Sequence, residues 1–383
     1  MRSEKLCFFL NLKTLMYLII VATAAFSVVF TYLHNARSDG YILGDWLINY
    51  EDGGFKRRGL SGSFFFLLQD FSGIKLNILV FAAQFLIITA FFFNFFKLIQ
   101  HKTGTWLYLS LLLSSIGFVG IFNCVDYVGK KEFILFLIFT WFVRQLDQNK
   151  LSEKREYFVA AALFITMFLH EVTLFFVPYF VIALYLKTGK WEFRRYLKYI
   201  LAVFVPAVLL FFFGKNINEG QSLQILADRK VVFTRGIFFW NIDERAYIAE
   251  HFKEYRLYFL SLMISVAHLY FYLKFHKNGK KTGLMLIFAF LFSLPLFYLA
   301  IDWGRWMYIH MIFIIILMSL FLEKSTHAFE NEKTVLNAKF LVTVFIIFFS
   351  LCYRVEMSGS GFTWHGFFYR TLIAPAQLLN KMR

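Results

Sequence analysis

Charged residues, prolines and cysteines are scarce in this chain. Of its 383 residues only 17% are charged and 59% are hydrophobic, and it contains 4 prolines and 3 cysteines. Soluble globular domains carry about a quarter charged residues, so this composition excludes an ordinary soluble domain. The three cysteines are Cys7, Cys124 and Cys352, whose scattered positions lack metal-ligand spacing. The composition instead predicts a polytopic membrane protein.

Apolar runs alternate with short polar connections along the sequence. We predict an all-α transmembrane bundle of about eleven helices, forming a single integral membrane domain over residues 1–383. The runs lie near residues 15–33, 76–96, 105–123, 128–146, 157–169, 172–186, 199–213, 257–273, 283–301, 307–322 and 340–354. Those at 157–169 and 172–186 are shorter than the roughly 20 residues of a straight span. They predict broken helices, or helices that end below the outer surface.

Positive charge is concentrated in the turns on one side of this bundle. The net formal charge is +16, and basic residues crowd the turns at 187–198 and 274–281. Cytoplasmic turns of membrane proteins are enriched in Lys and Arg, so these turns and the N-terminus are placed in the cytoplasm. Topology thus accounts for the charge without a nucleic-acid partner. The absence of any Asn-x-Ser/Thr acceptor agrees with a bacterial inner membrane.

The polar motifs then fall on the outer side. A first outer loop, residues 34–75, contains two stretches too short to span, 41–50 and 60–69, which we predict as interfacial helices. A second outer segment covers residues 214–256, and residues 355–383 form an outer C-terminal tail. This sorting of polar residues predicts a working surface at the outer membrane boundary.

Two carboxylates follow the first span closely. Asp39 and Asp45 are candidate catalytic residues, because a carboxylate at the membrane surface can take a proton from a sugar hydroxyl and so make it a nucleophile. The alternative for both is a helix cap, since Asp is favoured at that position.

Three basic residues lie between glycines in the same loop. Lys56, Arg57 and Arg58 are placed on the side of the membrane where basic residues are disfavoured. Guanidinium groups bind phosphate through two parallel hydrogen bonds, and flexible glycines allow close approach. The pattern predicts a site for a lipid-linked phosphate or pyrophosphate, with binding of ordinary phospholipid headgroups as the alternative.

Charged residues also interrupt the apolar runs. Asp126, Lys130 and Lys131 are candidate substrate-binding residues in the motif that ends at Glu132, or they pair with one another. Such charges are costly in a membrane unless they are paired or line a wet cavity.

A histidine and a glutamate meet between two short apolar runs. His170 and Glu171 are candidates to orient substrate, relay a proton or hold a divalent metal with Asp126. The alternative is a buried structural pair. One His and one Glu form a weak metal-binding pattern, so we predict no resident metal or cofactor.

The last motif, Asp302-Trp303-Gly304-Arg305-Trp306, caps an outer span end. Tryptophans are common membrane-interface anchors. Asp302 and Arg305 are candidates to bind substrate and to neutralise a departing phosphate, or they form one salt bridge at helical spacing.

This layout resembles the GT-C class of membrane glycosyltransferases. Those enzymes have many spans, a long first outer loop with two short helices, and a catalytic carboxylate just after the first span, the position of Asp39. The resemblance implies that Arg57, Arg58 or Arg305 binds a polyprenyl-phosphate sugar donor. The chain departs from the class in lacking a paired Asp-Glu start and a large C-terminal soluble domain.

The chain also looks like bacterial O-antigen and capsule polymerases. Their span counts and two arginine-bearing outer loops are similar, and Arg57 and Gly73 match an Arg-x15-Gly pattern of that group. Either resemblance implies transfer of sugar from a polyprenyl carrier to a glycan or lipid acceptor. A glycan-lipid flippase is the alternative from another class, since broken helices occur in transporters. A membrane acyltransferase with His170 as base is a third possibility.

Overall fold

The computed structural model describes residues 12–114, 116–118, 120, 125–275, 278–324, 338–355, 357, 362–363, 366, 369 and 373. The described chain is helical apart from one antiparallel pair of two-residue strands, β1 (Arg354–Val355) and β2 (Phe362–Thr363). Cys7, Cys124 and most of the predicted outer tail at 355–383 lie outside the described residues. Cys352 is a free thiol.

The described chain contains sixteen α-helices. In chain order they are α1 (Leu12–Ala36), α2 (Leu43–Trp46), α3 (Gly59–Ser72), α4 (Leu76–Ile99), α5 (Trp106–Leu112), α6 (Glu132–Asp147), α7 (Glu153–Leu169), α8 (Thr173–Phe176), α9 (Pro178–Thr188), α10 (Phe193–Phe213), α11 (Glu219–Asp228), α12 (Glu244–Glu250), α13 (Phe252–Phe275), α14 (Gly279–Leu299), α15 (Trp303–Met318) and α16 (Ala338–Cys352). Single 3-10 turns occur at Val125–Tyr127, Ile237–Phe239 and Ser319–Phe321.

Five helices in the described part of the chain are long and apolar enough to cross a membrane. They are α1, α4, α10, α14 and the helix Trp303–Phe321, which is α15 with its 3-10 extension. The described structure therefore agrees with the prediction of a helical protein that has membrane-spanning helices. The predicted count of about eleven spans is not confirmed. Several predicted runs form shorter helices: the run at 105–123 contains the seven-residue α5, and the run at 128–146 becomes α6 with 16 residues.

Helix α15 is the central element of the bundle. In an 18-residue segment of this helix and its 3-10 extension, 89% of the residues are buried. The corresponding value is 28% for α1 and for α10. A helix that is apolar on all sides is stable only when other elements cover it on all sides. Helices α5, α6, α9 and α14 contact α15. These contacts fix the position of α15 and therefore of Arg305, which lies near its start.

The first outer loop contains helices in both predicted stretches. Helix α3 covers the stretch at 60–69 and exposes Phe64, Leu67 and Phe71, as expected of an interfacial helix. The stretch at 41–50 forms only the four-residue α2, and all four of its residues are buried. Helix α2 is thus packed inside the protein, against the expectation that this stretch lies along the interface, because Leu43, Trp46 and Leu47 join a buried apolar cluster.

The short runs after residue 153 form a broken helix. Helix α7 ends at Leu169, and the backbone of His170 is extended. The next run is divided into α8 and α9, with Pro178 at the first position of α9, where its missing N–H group is tolerated. The break exposes the polar groups of residues 170 and 171 to neighbouring elements instead of burying them along a continuous helix.

Polar clusters occur at both ends of helix α6. At its C-terminal end, Lys102 Nζ donates to Asp147 Oδ1 at 2.7 Å and Lys324 Nζ donates to the Asp147 carbonyl at 3.3 Å. At its N-terminal end, Glu132 meets residues from two other segments, His170 and Arg305. A 16-residue helix is roughly 24 Å long, so the two clusters are separated by most of a membrane thickness. The cluster at Glu132 contains the motifs predicted for the outer face.

Labelling of single cysteines tests this orientation. In a variant whose native cysteines are replaced by serine, Ser72→Cys places an exposed thiol in the first outer loop and Lys190→Cys places one in a predicted cytoplasmic turn. A membrane-impermeant maleimide should modify Ser72→Cys in intact cells and Lys190→Cys only after permeabilisation. The reverse pattern would invert the topology and exclude chemistry at the outer face.

Candidate functional site

Helix α2 carries Asp45 into contact with the turn before α6. The Trp46 indole donates to the Gly129 carbonyl at 2.8 Å, and Gln84 Nε2 donates to the same oxygen at 2.8 Å. These bonds hold the turn at Gly129 in place, and the Trp46 bond holds α2 against it although the two residues are 83 positions apart. As a result Asp45 Oδ2 lies 3.8 Å from Lys131 Nζ, with both side chains buried.

Arg58 joins Asp45 to Glu171. Its Nε and one terminal nitrogen donate to Glu171 at 2.9 Å and 2.7 Å, and its other terminal nitrogen donates to Asp45 Oδ1 at 3.1 Å. This is the two-pronged geometry in which guanidinium binds carboxylates and phosphates. Arg58 has a left-handed backbone, φ 64°, directly before α3, which is uncommon for a non-glycine residue. Neighbouring Arg57 lies 3.7 Å from Glu171, and its side chain is 65% exposed.

A second arginine forms a matching arrangement on α15. Arg305 Nε donates to Glu132 Oε1 at 2.5 Å, and a terminal nitrogen donates to Asp302 Oδ2 at 2.9 Å. Its remaining nitrogen lies 3.1 Å from His170 Nε2. The other ring nitrogen, Nδ1, faces Glu171 and lies 3.4 Å from the Val172 amide nitrogen.

His170 therefore connects the two arginine centres. Its Nε2 lies 3.6 Å from Glu132, and its Nδ1 lies 3.7 Å from Glu171. We call the resulting set the outer charge network, after the membrane side predicted for its motifs. Its members are Asp45, Arg58, Lys131, Glu132, His170, Glu171, Asp302 and Arg305.

Two charged atoms in this network have no hydrogen-bond partner within the described residues. They are Lys131 Nζ and Glu132 Oε2, and both side chains are fully buried. A buried ionised group that is not fully hydrogen-bonded costs free energy. Each of these two atoms thus has hydrogen-bonding capacity that no described group uses.

Opposite charges keep the carboxylates of the network ionised. Burial by itself raises the pKa of Asp45, but the positive charges of Lys131 and Arg58 outweigh it and lower the pKa to about 2. Burial likewise raises the pKa of Glu171, and the charge of Arg58 with hydrogen bonds from His170 and Arg58 holds it well below its usual range. Both groups are acceptors at neutral pH. Withdrawal of Arg58 toward another anion would raise both pKa values and strengthen both bases.

Asp39 makes its contacts elsewhere. Its Oδ1 accepts the Tyr41 amide at 2.8 Å and the Ile42 amide at 3.1 Å, and its Oδ2 lies 3.3 Å from His34 Nδ1. Burial raises its pKa, while these hydrogen bonds and the charge of His34 lower it to about 2. Asp39 thus closes the turn before α2, whereas the N-cap position of α2 is Ile42 and has no side-chain cap, so the helix-cap alternative noted from the sequence is met only by a neighbouring turn. The described contacts of Asp39 include no member of the outer charge network.

The other predicted residues divide between the network and its surroundings. Lys56 is buried and its Nζ donates to Asp52, so it faces away from Arg57 and Arg58. Lys130 is half-buried beside the network, and the opposing effects of burial and of its neighbours leave its pKa lowered. Asp126 lies in the turn Val125–Tyr127, and its side chain is outside the described residues.

Within the described residues, no group of three or more His, Cys, Asp or Glu side chains is arranged to hold a metal ion. The geometry of His170 gives the reason. Glu132 and Glu171 face different nitrogens of its ring, so the two carboxylates cannot share one ion with it. The metal site suggested with Asp126 depends on a side chain that is not described.

Glu132 is the member that sequence reasoning left out of the candidate site. It ends the charged motif that begins at Asp126 and opens α6. The signal was its position as a carboxylate inside an apolar run. Its role depends on Arg305, 173 residues away, and a contact at that distance is not visible in a local pattern.

The network and the adjacent Arg57 bring positive charge and carboxylate acceptors together in one place. Arg57 and Lys131 supply positive charge that is not saturated, while Asp45, Glu171 and Glu132 supply acceptors. Comparisons of the chain with protein-family models, with curated proteins and with solved structures gave no match.

Replacement of Glu132 tests the network as a unit. Glu132→Gln keeps size but leaves Arg305 paired only with Asp302, and loss of one partner of a buried ion pair costs about 3 kcal/mol. The thermal unfolding midpoint of the purified protein in detergent should fall clearly. Glu250→Gln, at the exposed end of α12, is the control and should leave it unchanged. An unchanged midpoint for Glu132→Gln would mean that the network is not a stabilising unit.

Proposed function

We propose that this protein is a membrane glycosyltransferase that uses a polyprenyl-phosphate- or pyrophosphate-linked sugar donor at the extracytoplasmic face. Its place is in the assembly of surface polysaccharide or glycolipid, with a glycan or lipid acceptor. The observation that carries the proposal is the outer charge network. Four segments far apart in sequence contribute it, and Lys131 Nζ and Glu132 Oε2 within it have no described hydrogen-bond partner, Lys131 Nζ being in ionic contact with Asp45 alone at 3.8 Å.

A purely structural network would have little reason to leave such atoms unpaired. Buried ion pairs contribute little net stability, since the desolvation of the charges offsets their attraction. Buried charges with unsatisfied atoms are instead common at sites where charge develops or moves during a reaction. The adjacent exposed Arg57 provides an entry point for an anion from the membrane surface.

The donor phosphate is assigned to Arg57 and Arg58. An incoming phosphate competes with Glu171 and Asp45 for the Arg58 guanidinium, because all three bind the same planar donor set. The carboxylates that lose this partner become stronger bases. Asp45 or Glu171 then takes the proton of the acceptor hydroxyl. The hydroxyl oxygen of the acceptor attacks the anomeric carbon of the donor sugar. The bond from that carbon to the phosphate oxygen breaks, and the polyprenyl phosphate or pyrophosphate leaves.

Arg305 and Lys131 are assigned to charge stabilisation. Positive groups fixed before the reaction stabilise the negative charge on the departing phosphate without reorganisation. Glu132 and Asp302 hold Arg305 in position. His170 orients Arg305 and Glu171 relative to each other. The geometry favours Asp45 over Asp39 as the base, because Asp39 caps a turn outside the network.

A repeat-unit polymerase is the second candidate function. It uses the same carrier lipid, and its acceptor is a second lipid-linked glycan. The exposure of Arg57 next to the half-buried Arg58 is compatible with two anionic headgroups at adjacent positions. A flippase is the candidate from another class, favoured by the broken helix at His170. Proteoliposomes that move a glycan lipid without forming a glycosidic bond would support the flippase.

Substitution of Arg58 tests donor binding. Arg58→Ala removes a charge-assisted contact, so the affinity for a polyprenyl-linked donor should fall about 10- to 100-fold. Arg58→Lys should recover only part of it, because an ammonium cannot reproduce the two-pronged contact. Arg37→Ala, at an exposed arginine of the same loop, is the control. Unchanged affinity in a folded Arg58→Ala protein would contradict the assignment.

Substitution of the two aspartates tests the base. Asp45→Asn keeps size and removes the proton acceptor, so transfer from a purified polyprenyl-linked donor should slow by about 10²–10⁴-fold while donor binding persists. Asp39→Asn should lose far less, because an Asn side-chain oxygen still accepts the capping hydrogen bonds. The opposite result, a normal rate for Asp45→Asn and a large loss for Asp39→Asn, would return the catalytic role to Asp39.

A further inference from the structure

The second outer segment is attached to the loop that carries the arginines. We call residues 214–240 the strap. The Lys215 amide donates to the Phe55 carbonyl at 2.9 Å, and Lys215 Nζ donates to the Gly53 carbonyl at 3.0 Å. Residues 53–55 directly precede the basic run at 56–58. The strap therefore contacts the backbone of this loop beside Arg57 and Arg58.

A buried group of three polar side chains lies beneath these contacts. Lys56 Nζ donates to one oxygen of Asp52, and the hydroxyl of Ser222 donates to the other. Lys56 and Ser222 are fully buried and Asp52 is 1% exposed. A buried charge pair is strongly directional, because a misplaced partner leaves an uncompensated charge in a medium of low polarity. This group fixes one conformation of residues 52–56 against α11.

The strap crosses the first outer loop at two more points. Arg229 makes a two-pronged contact with Asp70 at 2.7 Å and 3.1 Å, which ties it to the end of α3. The Ile237 amide donates to the Gly40 carbonyl at 3.1 Å where Gly236 and Gly40 cross. Gly236 has φ 118°, and a side chain at either glycine would overlap the other segment's backbone. The strap therefore contacts the first outer loop on both sides of the region from Asp45 to Arg58, at Gly40 before it and at Asp70 after it.

We propose that Asp52, Lys56 and Ser222 are positioning residues that hold Arg57 and Arg58 in their anion-binding orientation. Charges that bind a ligand anion are effective only when their geometry is fixed in advance, and a displacement of about 1 Å can cost up to 100-fold. The catalytic consequence rests on the proposed function. The attachment of the strap to the loop does not, so the two can be tested separately.

Two variants and one control separate positioning from stability. Ser222→Ala removes one hydrogen bond. The double variant Asp52→Leu and Lys56→Met removes both charges with side chains of similar size, so no buried charge is left unpaired. Gln224→Ala, at an exposed position of the same helix, is the control. Each protein is reconstituted in nanodiscs and assayed for amide hydrogen exchange, thermal unfolding and binding of a polyprenyl monophosphate.

Faster exchange across residues 53–58 is expected in both variants, with weaker binding of the polyprenyl monophosphate by up to 100-fold and a near-normal unfolding midpoint in the double variant. The control should match the wild type in all three measurements. Unchanged exchange in the folded variants would overturn the attachment. Faster exchange with unchanged binding would overturn the positioning role. A wild type that binds the lipid phosphate but transfers no sugar would refute the proposed function and leave this inference standing.

Discussion

The pairing of two buried arginines with carboxylates from other segments is the interaction on which the site depends. Arg58 bridges Asp45 and Glu171, Arg305 bridges Glu132 and Asp302, and His170 lies between the two centres. Removing any partner leaves a charge in a low-polarity environment, where it costs several kcal/mol by general estimates. The four segments that contain these residues must therefore come together in the folded protein. The helices in those segments have to end where their charged side chains can reach one another.

The helix breaks follow from that requirement. Helix α7 stops at Leu169 so that His170 and Glu171 can leave the helix axis, and Arg58 adopts a left-handed backbone so that α3 can begin beside it. The nearly fully buried α15 gives Arg305 a rigid support. Irregular backbone within a membrane protein is tolerated where protein or a wet cavity surrounds it. Helix ends from different parts of the chain thus bring together polar groups that continuous membrane-spanning helices would have to bury.

Sequence patterns predicted much of this arrangement, because apolar runs and charge placement are local properties. Charges inside apolar runs drew attention to Lys131, His170 and Arg305, all of which lie in the network. Sequence patterns could not tell which of Asp39 and Asp45 joins the network, since that depends on a Trp46 bond to Gly129, 83 residues away. The number of spans was not confirmed for a related reason. Where an apolar run breaks depends on the partners that its polar groups find in the folded protein.

The proposed function requires that the phosphate of a polyprenyl-linked donor binds to Arg57 and Arg58, at the edge of the outer charge network. The most direct measurement is a cryo-electron microscopy structure of the protein in nanodiscs with a polyprenyl phosphate. We expect phosphate density within hydrogen-bond distance of Arg57 or Arg58, with Arg58 withdrawn from at least one of its carboxylates. A headgroup bound away from both arginines, with the Arg58–Glu171 and Arg58–Asp45 pairs intact, would contradict it.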